Sequence, residues 1–223
     1  MSNKKDTEYI RKWANKIRAI GELGGKCSNC EISETFCLQF HHLKNKTHNI
    51  ARLITGRWSL VQEEIQYCQL LCANCHVELL YKGTRPDRIR KKQDCFDYLN
   101  VESCMRCDYK GRNQGSLSFH HLKEKQCNIS YLIGNNTPVD VLNTELNKCI
   151  VLCANCHAKE HVDITKFERF KSRIYHKVQN YTEKQSKLNR NEVKRLFDSG
   201  VKQVDIAKQF NASKSTISLI LKG

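Results

Sequence analysis

The chain has 223 residues and carries 38 Lys+Arg against 23 Asp+Glu, a formal net charge of +15. Only 39% of residues are hydrophobic and 27% are charged, which excludes one large core and favours small modules that need metal or disulfide staples. The positive excess points to a polyanionic partner, nucleic acid first. There are 13 cysteines, most of them in four C-x-x-C pairs, an arrangement that points to metal rather than disulfides. The opening MSNKKDTEYIRKW holds no apolar signal segment and no run nears membrane-spanning length. An intracellular protein with no membrane partner is therefore expected, in a reducing compartment that keeps thiolates available.

Residues 7–20 have helical spacing, with Ile10, Trp13, Ile17 and Ile20 on one face and Arg11, Lys12, Lys16 and Arg18 on the other. Gly24-Gly25 stops this helix. Cys27 and Cys30 then form a knuckle, and residues 36–40 read as a short strand leading into His41-His42. A polar, basic stretch with Lys44 and Lys46 comes next, then a helix-like segment around Ile50, Leu53 and Ile54. Residues 68–71 lead into Cys72-Ala-Asn-Cys75-His76 and a further helix.

Residues 86–103 form a lead-in segment whose Ile89, Phe96, Tyr98 and Leu99 can pack on the module C-terminal to it. The pattern then recurs over residues 104–161. Cys104 and Cys107 match Cys27 and Cys30, His120-His121 matches His41-His42, and Lys123 matches Lys44. Asn128 matches Asn49, Cys149 matches Cys68, and Cys153-Ala-Asn-Cys156-His157 matches Cys72-Ala-Asn-Cys75-His76. The chain therefore contains an internal duplication of a two-strand-plus-helix unit. His161 has no counterpart in the first copy, where Leu80 stands.

Residues 162–187 read as a helix that becomes a linker over 180–187. The last segment suits three short helices, at 192–198, 203–210 and 214–221. Ser213 caps the third, and Asn211 takes a left-handed turn. Ile206, Ala207, Phe210, Ala212, Ile217 and Ile220 fall where a helix-turn-helix buries its contacts.

Four cysteines in two C-x-x-C pairs suit tetrahedral Zn²⁺, so Cys27, Cys30, Cys72 and Cys75 are expected to hold one structural zinc and Cys104, Cys107, Cys153 and Cys156 a second. Cys37, Cys68, Cys95, Cys127 and Cys149 read as small core residues. His157 and His161 are four apart and share a helix face. A histidine from the strand completes a three-nitrogen site with positions left for a phosphate oxygen and water. Adjacent strand residues face opposite ways, so one histidine of the doublet is free to act as a proton acceptor.

The F-H-H and L-C-A-N-C-H segments resemble the HNH nuclease family, with its ββα-metal fold, and in particular its zinc-containing phage-type members. The resemblance covers residues 104–161 well and residues 27–76 in part. It implies His120 as a metal ligand, His121 as the general base, and His157 and His161 as the helix ligands. In the first copy it implies the base at His42 and ligands at His41 and His76, in a module impaired by Leu80. The family's central Asn, which orients the base, has Asn143 and Asn147 as candidates here, while Asn155 lies within the knuckle.

The tail resembles a resolvase-like helix-turn-helix, which implies Ser213, Lys214, Ser215, Thr216 and Ser218 at DNA. Lys44, Lys46, Lys123 and Lys125 are placed to contact phosphates. The expected architecture is α+β, two small zinc-stapled ββα-metal modules followed by an all-α helix-turn-helix domain, with boundaries at 1–85, 86–180 and 181–223. The expected function is a metal-dependent endonuclease acting on double-stranded DNA with Mg²⁺, Mn²⁺ or a similar ion, of the free-standing homing or mobile-element kind. Tandem modules in one chain are compatible with a monomer, in which the duplication replaces a homodimer, and leave the oligomeric state open. The alternative is a zinc-containing DNA-binding regulator that does not cut; His161 argues against it, because a pure binding module needs no histidine at that spacing.

Overall fold

The computed structural model describes residues 3–44, 46–81, 86–113, 115–186, 190–210 and 212–222, and the side chains of all of these except 86–90, 182–186 and 222. The expected turn at Asn211 and the packing of Ile89 lie outside the described residues. The fold is α+β. Two short two-stranded sheets are embedded in a chain whose other regular elements are helices. No helix among the described residues is long and apolar enough to cross a membrane.

The first copy follows helix α1 (Lys4–Glu22) and contains β1 (Leu38–His42), α2 (Ile50–Leu53), α3 (Trp58–Ile65), β2 (Cys68–Cys72) and α4 (Ala73–Leu80). The second follows α5 (Pro86–Tyr98) and contains β3 (Leu117–His121), α6 (Ile129–Gly134), α7 (Val139–Leu146), β4 (Cys149–Cys153) and α8 (Ala154–Glu160). The long α9 (Ile164–Ser186) leads to α10 (Arg190–Asp198), α11 (Gln203–Gln209) and α12 (Lys214–Lys222).

Three sequence expectations change. The first strand begins at Leu38 rather than Phe36, because a turn closed by Cys37 N–H donating to the Glu34 carbonyl occupies the preceding residues. Each copy carries an eight-residue helix that sequence reading did not anticipate, α3 and α7. Such helices are too short for apolar periodicity to stand out, and their buried faces include a carboxylate, Glu64 in one and Glu145 in the other. The linker expected over residues 180–187 is helical as far as Ser186; neither Gly nor Pro interrupts it, and α9 continues.

By contact the chain forms two compact units that interleave along the sequence, one of residues 1–23, 42–68 and 165–223, the other of 24–41 and 69–164. In the first unit, α1 turns its apolar face to α9: Trp13 meets Phe167 edge-on at 5.0 Å, and Tyr9 meets Phe170 at 6.0 Å. The buried Arg18 lies 3.7 Å over the ring of Trp58 and 4.7 Å over that of Tyr181, and Asn15 Nδ2 donates to the Ile54 carbonyl at 2.9 Å. Helices α10, α11 and α12 pack around Val193, Ile206, Ala207 and Ile217, with Leu196, Phe210, Ala212 and Ile220 at the edge of that core. Ser213 Oγ accepts the Thr216 N–H at 3.1 Å, which caps α12 as its position in the sequence suggests. Gly200, at φ +92°, ends α10 in a conformation that favours glycine.

In the second unit, β3 and β4 pair antiparallel, with Leu117 opposite Cys153 and His121 opposite Cys149. Leu117, Val151, Leu152 and Cys153 are buried with Phe96 of α5, and Phe119 stacks against Phe96 at 5.1 Å. Thus α5 serves as the lead-in helix that the repeat suggested, seating one face of the β3–β4 ribbon.

The two copies meet within this unit through their C-x-x-C helices. Asn155 Oδ1 accepts the Asn74 N–H at 3.1 Å, and Asn74 Oδ1 accepts the Asn155 N–H at 2.9 Å. Each side chain therefore caps the other copy's helix, satisfying a first-turn donor that has no intrahelical partner. Glu78 of α4 adds a second tie. It accepts hydrogen bonds from the Tyr109 hydroxyl, from Ser116 Oγ at 2.7 Å and from the Arg112 N–H at 3.0 Å.

Candidate metal centre

The thiols assemble as their spacing predicts. Cys27, Cys30, Cys72 and Cys75 form one group and Cys104, Cys107, Cys153 and Cys156 another, with the sulfurs of each group within 4.8 Å of one another. Both are built the same way. In the first pair the chain doubles back, Cys27 N–H donating to the Ile32 carbonyl at 2.8 Å and Cys104 N–H to the Tyr109 carbonyl at 2.9 Å. The residue after each pair, Glu31 or Asp108, sits at positive φ (64° and 57°) to close the turn. The second pair straddles the start of a helix, where Cys72 Sγ accepts the Cys75 N–H and Cys153 Sγ accepts the Cys156 N–H, each at 3.4 Å.

The sulfur spacing fits zinc. Four sulfurs about 2.3 Å from a tetrahedral ion stand about 3.8 Å apart; Cys30 and Cys72 are 3.5 Å apart, and Cys107 and Cys153 3.7 Å. Burial pushes the Cys27 and Cys104 thiols up, but backbone N–H groups outweigh it and hold both down at about 7. Cys30, Cys75, Cys107 and Cys156 are pushed up, foremost by burial. Each group can thus hold one structural zinc, two per chain.

The histidines of the second copy also converge. His120, His157 and His161 bring ring nitrogens within 4.8 Å of one another. His157 and His161 point their Nε2 atoms at each other across 3.1 Å, near the roughly 3.3 Å expected of two nitrogens on one tetrahedral ion. Ser118 prepares His157 for this. Its hydroxyl lies 3.4 Å from the Leu152 carbonyl, to which it donates, and 3.0 Å from His157 Nδ1. With the hydroxyl proton so used, its oxygen accepts the Nδ1 proton and leaves Nε2 with a free lone pair. Burial first, and the neighbouring histidines second, hold His120 and His157 below the usual histidine range, which favours the neutral, lone-pair-bearing ring a metal needs.

His121 does not join this group. It meets Glu145 of α7, Nε2 to Oε1, at 3.0 Å. Glu145 is 3% exposed and also accepts the Gln126 and Cys127 N–H groups, at 2.9 and 3.2 Å. The Lys148 ammonium at 2.7 Å is the main cause that holds its carboxyl down at about 2. Neither Asn candidate takes this place. Asn147 Oδ1 accepts from the Tyr98 hydroxyl at 3.2 Å, while Asn143 bonds through its carbonyl to the Asn147 N–H. Asn155 caps α4. Sequence reading missed Glu145, although Glu64 and Glu145 each stand eight residues before the second C-x-x-C pair, a repeat signal as regular as the cysteines themselves.

The first copy keeps part of this arrangement. The His41 and His76 rings lie 5.3 Å apart at 72°, much like His120 and His157 at 5.1 Å and 78°. Leu80 stands for His161 and is half exposed, and Gln39 stands for Ser118. Glu78, the nearest carboxylate in sequence, is engaged with Tyr109 and Ser116. His42 meets Glu64, Nε2 to Oε1, at 2.9 Å.

Lys44, Lys46, Lys123 and Lys125 are exposed, as are Ser213, Lys214 and Ser215; Thr216 and Ser218 are half-buried. No family profile matches the chain, and neither a curated protein nor a solved structure does.

Proposed function

We propose that this protein is a metal-dependent endonuclease of double-stranded DNA, with its competent centre in the second copy. The convergence of His120, His157 and His161 carries the proposal, because a three-imidazole group has no use in a zinc-stapled module that only binds. The ββα-metal architecture of the HNH family, to which the sequence is similar, accounts for a strand–helix group of this kind next to a zinc frame. The donor chemistry shifts one expectation. Three imidazoles without a carboxylate suit Zn²⁺, Ni²⁺ or Co²⁺ better than Mg²⁺ or Mn²⁺.

His120, His157 and His161 would hold the ion, which would supply Lewis-acid polarisation of the scissile phosphate and charge stabilisation for the leaving oxygen. His121 accepts a proton from the attacking water. The new O–P bond forms as the bond to the 3′ oxygen breaks, and that oxygen takes a proton from solvent, leaving 3′-hydroxyl and 5′-phosphate ends. Lys123 and Lys125 hold the flanking phosphates, with Lys44 and Lys46 in the same role in the first copy. Helices α10–α12 act as a helix-turn-helix reader that presents Lys214 and Ser215 to the major groove. A free-standing nuclease with its own reader fits a homing or mobile-element role.

The test is to measure bound metal and plasmid nicking in the wild type and in His157→Ala. The variant is expected to keep two zinc ions, lose the additional one and lose nicking. Unchanged nicking would remove the three-histidine group from the reaction.

A further inference from the structure

Building on the nuclease function proposed above, we propose that Glu145 is the positioning residue for His121, holding the ring in the tautomer that leaves Nδ1 free to accept the proton of the attacking water. An ionised carboxylate only accepts hydrogen bonds, so the 3.0 Å contact between His121 Nε2 and Glu145 Oε1 requires the proton to reside on Nε2. In the neutral ring Nδ1 then carries the lone pair. Among the described residues, nothing donates to it.

Glu145 is well placed to impose this. It is buried, and three further donors fix both of its oxygens: the Gln126 and Cys127 N–H groups on Oε1 and the Lys148 ammonium on Oε2. The carboxylate cannot turn away from His121 without breaking them. The same bonds pin the segment after the strand, which carries Lys123 and Lys125, so the proton acceptor and the phosphate-holding lysines share one anchor.

The first copy repeats the device. Glu64 Oε1 accepts from His42 Nε2 at 2.9 Å, from the Thr47 N–H at 3.1 Å and from the His48 N–H at 2.9 Å. The first copy has Leu80 where the second has His161 yet carries the carboxylate–histidine pair, which marks the pair as part of the duplicated unit. Lys148 has no such counterpart, since Tyr67 stands in its place.

A structural role alone, with Glu145 merely closing the loop, predicts something different and can be separated. The experiment compares wild type, Glu145→Gln and Glu145→Ala in the full, zinc-loaded chain. Three quantities are read: kcat and KM for plasmid nicking, zinc content, and the His121 ring tautomer by ¹⁵N–¹H correlation of the imidazole nitrogens. Wild type is expected to show a single Nε2–H tautomer. Glu145→Ala is expected to lose that preference and to lose kcat by roughly 10–100-fold with KM nearly unchanged. Glu145→Gln, whose amide oxygen still accepts, is expected to recover most of both.

A wild-type Nδ1–H tautomer overturns the proposal whatever the activity. So does a Glu145→Ala chain whose kcat is unchanged, or whose zinc content and KM fail together with kcat while the tautomer stays fixed. If the wild type cuts no DNA but shows the Nε2–H tautomer, and Glu145→Ala loses it, the positioning of the ring by Glu145 stands and the nuclease function falls.

Discussion

Asn155→Ala isolates one of the contacts that join the two copies. Asn155 is 7% exposed, and its Oδ1 is the acceptor for the Asn74 N–H in the first turn of α4. Helix geometry offers that N–H no partner of its own, and Asn74, at 6% exposure, is shut away from water. Truncation therefore strands a buried donor, at a cost of about 1–3 kcal/mol. A cost in the lower half of that range, about 1–2 kcal/mol, raises the open fraction of the knuckle roughly 5–30-fold. Asn74→Ala should do the same to α8, whose Asn155 N–H it caps at 2.9 Å. Each bond uses one side chain and the other residue's backbone, so neither substitution removes both bonds. Because the two residues touch, the double variant should depart from the sum of the two single effects by about 0.5–3 kcal/mol. Because Cys72, Cys75, Cys153 and Cys156 flank these helix starts, transfer of zinc to a chromogenic chelator reports the opening directly. Single variants that release zinc no faster than wild type would refute the idea that the two knuckles stabilise each other through these bonds.

Cys104→Ser and Cys27→Ser should each remove one of the two structural zinc ions by metal analysis, and full chelation should melt both sheets as seen by circular dichroism, because zinc binding supplies folding free energy. Leu80→His places an imidazole four residues after His76, at an exposed position, and should create a second cobalt-binding site visible in the d–d absorption spectrum; an unchanged spectrum would mean that the missing Ser118 counterpart matters more than the third ligand. Lys214→Ala together with Ser215→Ala should flatten sequence preference in DNA binding with little effect on cutting of unselected plasmid. Preference that survives would place the reader elsewhere.

The frame of this protein was legible in its sequence because its signals are local. A C-x-x-C pair declares its turn within four residues, and His157 and His161 declare a shared helix face by spacing alone. Duplication strengthened both, since chance does not repeat a cysteine and histidine pattern with the same flanking residues. What escaped notice depends on partners distant in the chain. Asn74 meets Asn155 across 81 residues, and no local pattern shows that an Asn inside a knuckle caps another helix. Glu145 meets His121 across 24 residues, from a helix too short to show a periodicity. A buried carboxylate on such a helix reads as solvated until its four donors are seen around it. No candidate Asn lies beside His121; the side chain that meets its Nε2 is the Glu145 carboxylate.

Whether His121 and the three-histidine centre cut DNA can be decided by nicking of supercoiled plasmid by wild type and His121→Ala, with Zn²⁺, Ni²⁺, Co²⁺, Mn²⁺ and Mg²⁺ offered in turn and DNA affinity measured alongside. The expected result is metal-dependent nicking by the wild type and a loss on the order of 10²–10⁴-fold in the variant, with DNA affinity retained. Wild-type protein that binds DNA but cuts none with any of these ions, or a His121→Ala chain that cuts as fast as the wild type, would contradict it.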